Sequence, residues 1–374
     1  MENNLLTEPQ AQEMVSTYIR NEGTTTSTQQ ILDSGAIPRL KGYIVRPGKV
    51  SDCIFGGKGS YFADKEKTNV VEFENPPLVD HDGVPLRLMV RTARISTHDI
   101  VRGDIPFKDQ ILAMNHNYMR DLLREVFGTS QYDIKGLEAN AAVIAAENLT
   151  QIPFENVLRA YMAKSTTSTS LYLAYIKGDR SFAGHTLPEG LVANGPLPYV
   201  MDTPSTKSDK HDETVSPDYL FNMELCTPFE YAEIRNSSLV AFGIISQLLR
   251  AKGIIAADTK TEHGKNRKGR IVVQDEEWTM DSSRFWILSD YQEQHAKFMK
   301  GEIPEINPRS FSKEFARGFS KGEEGYTDEQ RERIAVRYIM GIQHLLGERF
   351  VPDMRPRDVR VVKGLETVVK ELVA

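Results

Sequence analysis

A chain of 374 residues is long enough for two domains, or for one large domain with insertions. With 40% hydrophobic and 26% charged residues it can bury a sizeable core. Its net charge of −6 argues against a general nucleic-acid binder, which needs a basic surface to displace counterions. The two cysteines, Cys53 and Cys226, lack CxxC spacing, so neither a disulfide framework nor structural zinc is expected, and a reducing, cytoplasmic setting is. No basic-then-apolar leader and no apolar run of membrane-spanning length occurs, so no signal peptide and no membrane partner are expected.

Residues 1–36 read as a polar helical extension containing "TTTSTQQ", without evident chemistry. From Lys41 to Arg94 the signals are β-like: "GYIVRPGKVSDCIF" and "GSYFADKEKTNVVEF" flank "GGKG", a hairpin turn signal. "DQILAMNHNYMRDLLREVF" then places Ile111, Leu112, Tyr118, Met119, Leu122, Leu123 and Val126 at helical spacing. In "IPFENVLRAYMAKSTTS", Glu155 and Arg159 form a surface ion pair if the stretch is helical. If it is instead a buried strand, Arg159 enters the interior and needs an anionic partner. "DTPSTKSDKHDETVS", 202–216, is a long polar loop, and loops of this kind are usually functional or disordered. A helix begins at "TPFE", where Thr227 caps, Pro228 suits the first turn and Glu230 completes a capping box; Gly253 suits the far end. "GIIAADTKTEHG" and "RIVVQDEEW", joined by "GKNRKG", predict a hairpin, and two last helices are expected at about 327–346 and 363–373. The mixed order predicts an α+β fold, with the 1–36 extension, a β-rich lobe over 37–150 and a larger mixed lobe over 151–374.

Asp258, Lys260 and Glu262 recur at every second position, so they share one strand face, and Asp275 and Glu276 come near the end of the facing strand. Such a carboxylate cluster is costly unless a cation neutralises it, and hard oxygen ligands favour Mg²⁺ completed by substrate phosphates. The alternative is the solvated face of an edge hairpin with ordinary ion pairs. "MDSSRFW" sets Arg284 between serines and aromatics, which suits either a phosphate clamp or packing on Trp286. Lys49, in "RPGKVSD", reads by default as a surface lysine, with a nucleotide-phosphate contact as the alternative, since a lone GK is a weak signal.

Taken together, "GKVSD" (48–52), "ARISTHD" (93–99), "IPFENVLR" (152–159) with Ser165, "LPEGL" (187–191), "TPSTKSDKHDE" (203–213), "GIIAADTKTEHG" (253–264) and "DEEWTMDSSRFW" (275–286) resemble one family. It is phosphoribosylaminoimidazole-succinocarboxamide synthase, or SAICAR synthetase, of purine biosynthesis. The resemblance implies a two-lobed α+β fold with a kinase-like N-terminal β lobe. It also implies an ATP-dependent ligase that joins the carboxylate of carboxyaminoimidazole ribotide to L-aspartate through an acyl phosphate, with ATP and Mg²⁺ required. By the same resemblance, Gly48 and Lys49 meet ATP phosphates, and Glu262 and Asp275 hold the metal with Asp258 supporting them. Lys260 approaches phosphate or carboxylate oxygens. Arg159, Ser165 and Arg284, with Ser283 beside them, grip the ribotide phosphate. Arg94, Ser96 and Asp99 belong to a substrate-side loop, and Thr206, Lys207 and Asp212 to a loop that closes over ribotide and aspartate. Asp258, Lys260 and Asp212 are the expected catalytic residues.

Three positions depart from the family's pattern: Ser51 stands for an arginine, Lys164 for a glycine before Ser165, and His263 for an aromatic. Two other functions keep the same residues in use: a phosphotransferase acting on another anionic sugar phosphate, and an inactive nucleotide-binding module. The sequence permits a homo-oligomer without specifying one.

Overall fold

The structure is a computed structural model and describes residues 4–23, 25–64, 68–98, 100–207, 212–311 and 313–374. It opens with helices α1 (Glu8–Arg20) and α2 (Thr28–Asp33). Strands β1 (Ser51–Phe55), β2 (Gly57–Phe62), β3 (Val70–Asn75), β4 (Leu86–Arg91), β5 (Arg94–Thr97) and β6 (Ile100–Asp104) follow. Next come α3 (Lys108–Phe127), β7 (Val143–Glu147), β8 (Thr150–Tyr161), α4 (Leu171–Ile176), β9 (Ser181–Phe182), β10 (His185–Thr186), β11 (Pro196–Asp202) and β12 (Ser205–Thr206). The chain continues through α5 (Pro217–Asn222), α6 (Pro228–Ala251), β13 (Ile254–Lys265), β14 (Ile271–Gln274) and β15 (Ser283–Ile287). It ends with α7 (Leu288–Met299), α8 (Glu314–Arg317), α9 (Asp328–Leu346) and α10 (Arg357–Leu372). The mixture of helices and sheets is the α+β class expected. No helix among the described residues is long and apolar enough to cross a membrane.

Two compact units divide the chain: residues 1–117, 130–148 and 316–374 form the first, and 118–129 and 149–315 the second. In the first, β4 lies between β1 and β7 in an antiparallel sheet. Leu86, Leu88 and Val90 alternate onto one face and are fully buried there with Ile54, Val143, Ala145 and Leu32. Val361, Leu365 and Val368, one stripe of α10, complete this core. At Gly364 a Cβ would fall 2.8 Å from that of Ala141, so only glycine lets α10 approach this closely.

The boundaries expected from the sequence differ from this division. Residues 1–36 are not a separate extension, because Leu32 lies in the core and Leu6 exchanges backbone hydrogen bonds with the Gln343 amide of α9 (2.9 and 3.2 Å). Residues 316–374, expected in the second lobe, belong to the first unit because α10 closes its sheet. "GGKG" is not a hairpin turn either, since β1 pairs with β4 and β2 with β3. Gly56 packs where a Cβ would meet the Leu78 nitrogen at 2.5 Å, and Gly57 (φ +87) redirects the chain into the second ribbon.

The second unit is built on a six-stranded sheet of order β11-β8-β13-β14, with β12 also on β8 and β15 on β13. "IPFENVLR" is therefore strand, and β8 runs antiparallel to β13 with Asp258 opposite Arg159, Lys260 opposite Val157 and Glu262 opposite Glu155. Helix α6 starts with the expected Thr227–Glu230 capping box, and Gly253 (φ +74) stands just past its end. Ile234, Ala241, Phe242, Ile245 and Leu249 form its buried stripe.

Candidate active site

Alternation along β13 separates two chemistries. Thr259, Thr261 and His263 are buried on one face, and Thr259 Oγ1 lies 2.8 Å from Ser283 Oγ. His263 meets Phe127 edge-on at 5.8 Å, and burial pushes its imidazole down to about 3, so it is neutral and packs as the aromatic ring it replaces would. Ser283 thus lies on the face opposite Arg284, because neighbours on β15 point to opposite sides. This corrects its expected place beside the phosphate-gripping groups.

The other face begins at Asp258. Its Oδ2 pairs with Arg284 Nη1 and lies 3.8 Å from Arg159 Nη1. Arg159 also donates from Nε to Thr203 Oγ1 (2.9 Å) and from Nη2 to the Thr169 carbonyl (2.9 Å). Arg284 Nε reaches Glu314 Oε2 at 3.3 Å. Burial pulls the Arg159 guanidinium down to about 10, against the attraction of Asp258 and helped by the like charge of Arg284. Asp258 therefore holds two guanidiniums together, and is not the supporting member of a carboxylate cluster that the sequence suggested.

Two positions along the strand, Lys260 Nζ donates to Glu155 Oε1 at 2.7 Å. Burial works against its charge, but Glu155, Glu262 and Glu276 outweigh it and raise its pKa. Glu262 Oε2 pairs with Lys207 Nζ. Burial raises the Glu262 carboxyl, and the charges of Asp275 and Glu155 add to the rise against Lys207 and Lys260. Asp275 follows Gln274, the register partner of Glu262, and its φ of +66 is a strained conformation for a non-glycine residue. Among the described residues no group of three or more His, Cys, Asp or Glu side chains is arranged to hold a metal ion. Glu262 and Asp275 are a pair of hard carboxylates in each other's field.

Other expected residues are placed as follows. Ser165 is buried, with Oγ 3.1 Å from Thr167 Oγ1. Thr206 on β12 accepts from the Glu213 amide (3.2 Å), and the Asp212 carbonyl accepts from Ser168 Oγ (3.3 Å). Lys164 is exposed and pairs with Glu305 at 2.7 Å. Gly48, Lys49, Arg94 and Ser96 belong to the first unit, where Ser51 Oγ accepts from the buried Arg91 (2.8 Å). Asp99 and His211 lie outside the described residues.

Glu155 and Thr203 stand inside quoted motifs, but nothing local in those motifs pairs Glu155 with Lys260 or Thr203 with Arg159. Sequence reasoning treats Asp202 only as the first residue of a polar loop and gives it no role, whereas it ends β11. It is buried, accepts from Tyr231 Oη (2.7 Å) and Arg235 Nε (2.8 Å), and lies 3.4 Å from His185 Nε2. Burial alone would raise its carboxyl, but His185, Tyr231 and Arg235 hold it at about 2 instead of its ordinary 3.8. A depressed carboxylate contributes stability that is full above its unfolded value and lost as pH falls through the folded one. Asp202→Asn is expected to lower the unfolding free energy at neutral pH by about 2 kcal/mol. In urea titrations its gap to the unaltered chain should narrow from about pH 4 toward pH 2; a gap independent of pH would contradict this.

A family model described as SAICAR synthetase matches residues 80–334, so "GKVSD" precedes the match. A phosphoribosylaminoimidazole-succinocarboxamide synthase of Legionella pneumophila (strain Paris) is 33% identical over 281 residues, 73% of this chain and 86% of that one. A chloroplastic enzyme of that name from Vigna aconitifolia is 33% identical over 237 residues; the aligned region is 63% of this chain and spans 66% of its relative. Among solved structures, SAICAR synthase from Saccharomyces cerevisiae complexed with SAICAR has a TM-score of 0.64 at 22% identity, covering 87% of this chain and 99% of that one. A SAICAR synthetase in complex with ADP has a TM-score of 0.55 at 21% identity, covering 82% and 100%. Those structural likenesses carry the fold, and the sequence matches carry the kinship. By those sequence matches, this chain belongs to the SAICAR synthetase family.

Proposed function

We propose that the protein is an ATP-dependent ligase of purine biosynthesis that joins the carboxylate of carboxyaminoimidazole ribotide to the amine of L-aspartate. The observation that carries this reading is the order of charges along one face of β13: a guanidinium pair on Asp258, then Lys260 on Glu155, then Glu262 beside Asp275 and Lys207. Each part suits one demand of the reaction. A carboxylate is a poor electrophile, so the terminal phosphoryl group of ATP first passes to it. The aspartate amine then forms the C–N bond as the C–O bond to phosphate breaks, releasing orthophosphate and the amine proton.

Arg159 and Arg284 take the ribotide phosphate, since forked guanidiniums match its oxygens; Thr203 accepts from Arg159, and the Ser165 carbonyl accepts from Ser170, the residue after the Thr169 whose carbonyl also takes Arg159. Lys260 faces the oxygens that gain charge during phosphoryl transfer, where a fixed cation is worth most. Glu262 and Asp275 fit Mg²⁺, which commonly takes one or two carboxylates and completes its shell with phosphate oxygens. The bound ion would offset charge on the triphosphate. In the first unit, Gly48 and Lys49 meet ATP phosphates, and Arg94, Ser96 and Asp99 form a substrate-side loop. Thr206, Lys207 and Asp212 cover ribotide and aspartate. Neither Cys53 nor Cys226 is in a disulfide, which suits a cytoplasmic, reducing setting.

The test is phosphate release from ATP and Mg²⁺ with each acceptor alone and together. Release that requires both ribotide and aspartate is the expected result. Release with the ribotide alone or with another sugar phosphate would make the protein a phosphotransferase, and none under any condition a binding module.

A further inference from the structure

In the first unit, the loop from Arg46 to Cys53 is closed by a backbone bridge between those two residues (2.9 Å each way) and held along its length by other elements. The Gly48 carbonyl accepts from Arg94 Nη2 at 2.7 Å. The Val50 carbonyl accepts from both the amide and the hydroxyl of Thr92 (2.8 Å each). Asp52, buried, takes Arg94 Nη2 on Oδ1 at 2.5 Å and the Thr28 hydroxyl on Oδ2 at 2.6 Å. Thr28, itself 1% exposed, accepts in turn from Arg357 Nη2 at 3.1 Å, while Arg357 Nη1 donates to the Thr26 carbonyl at 2.9 Å. The geometry at Gly48 leaves no slack, because a Cβ there would meet the Ser51 carbonyl oxygen at 2.4 Å.

We propose that Thr28 and Arg357 are positioning residues of the Gly48–Lys49 loop, acting through Asp52 and Arg94 to set where that loop offers its groups to nucleotide phosphates. The inference rests on the reading of Gly48–Lys49 as a phosphate-binding loop. Thr28 opens α2 and Arg357 opens α10, so helices near opposite ends of the chain, both outside the residues matched to the family, are wired into one short turn. The relay follows from donor counting. Asp52 is buried with two charge-assisted or hydroxyl donors on separate oxygens, and removing either leaves acceptor capacity unmet where water is excluded. The Thr28 hydroxyl can serve both neighbours at once, donating to Asp52 and accepting from Arg357, which valine cannot do and serine can. With Asp52 released on one side, Arg94 is free to turn, and the Gly48 carbonyl loses its donor.

The experiment uses the full chain with Thr28→Val, Thr28→Ser and Arg357→Gln, and titrates ATP alone by calorimetry. Backbone hydrogen exchange over residues 48–52 is followed without nucleotide. Thr28→Val and Arg357→Gln are expected to weaken ATP binding about tenfold and Thr28→Ser no more than about twofold. Exchange over 48–52 should rise in the first two variants only. Unaltered ATP affinity in a folded Thr28→Val protein would overturn the proposal, whatever its Tm. So would equal losses in the valine and serine variants. If the unaltered chain binds no ATP, the phosphate-loop reading fails; a rise in exchange confined to the valine and glutamine variants would then still establish the positioning of the loop, and its absence would remove both.

Discussion

Asp275→Asn and Glu262→Gln should each lower turnover by at least about a hundredfold while the fold survives, because each removes one of the two carboxylate charges that would hold the metal ion offsetting charge on the triphosphate. The two changes should differ in their effect on stability. Burial and the charge of Asp275 raise the Glu262 carboxyl, so its ionised form is held at a cost to the fold. Its sign is opposite to that of Asp202: stability gained from protonating Glu262 appears as pH falls, and is lost as pH rises through the raised value. Glu262→Gln should therefore keep or raise Tm at neutral pH and flatten that part of the pH profile, even as activity is lost. A loss of activity without a loss of stability is what a strained functional group predicts. Wild-type turnover in both variants, measured as phosphate release at saturating ATP, would show that neither carboxylate takes part. A collapsed Tm in Glu262→Gln would show instead that its pairing with Lys207 holds the unit together.

Much of the second unit was legible because its signals are local. The Thr227–Glu230 capping box, the Gly253 terminus and the turn after β13 are short-range devices that work without knowledge of the rest of the chain. Strict alternation placed Asp258, Lys260 and Glu262 on one face, and the condition that a buried Arg159 needs an anion was met by Asp258, directly across the strand pair. Alternation should also have placed Ser283, since it cannot share a face with Arg284; treating "DSSRFW" as a clamp rather than a strand hid this. What could not be read was long-range partnership. "GGKG" announces a change of direction but not which strands pair on either side of it. The apolar stripe of α10 shows that the helix is buried, yet nothing in Val361, Leu365 or Val368 says that β4 and β7 lie beneath them. The departures at Ser51 and Lys164 have local answers that only coordinates reveal, in Arg91 and Glu305.

Asp258→Ala should be the most destabilising single change in the second unit's charged face, at about 3–5 kcal/mol, because it leaves two buried guanidiniums with no carboxylate between them. Arg159 is already lowered by burial and by Arg284, so losing the one charge that opposes both effects sharpens their repulsion. Glu314 remains on Arg284 only, and Thr203 offers Arg159 a neutral acceptor, so neither replaces the shared carboxylate. If these guanidiniums grip a ribotide phosphate, an anion should do part of the work that Asp258 did. Inorganic phosphate at millimolar concentration should then raise the Tm of Asp258→Ala by more than it raises that of the unaltered chain, since ligand binding to the folded state alone is stabilising by mass action. Asp258→Asn, which keeps the shape and loses the charge, should show the same preference with a smaller initial loss. In a control with Arg284→Gln added to Asp258→Ala, one cation is gone and the repulsion with it, so part of the lost stability should return and the phosphate response should shrink. Equal phosphate responses in all four proteins would mean that the anion binds elsewhere, and that Asp258 holds the arginines only for the sake of packing.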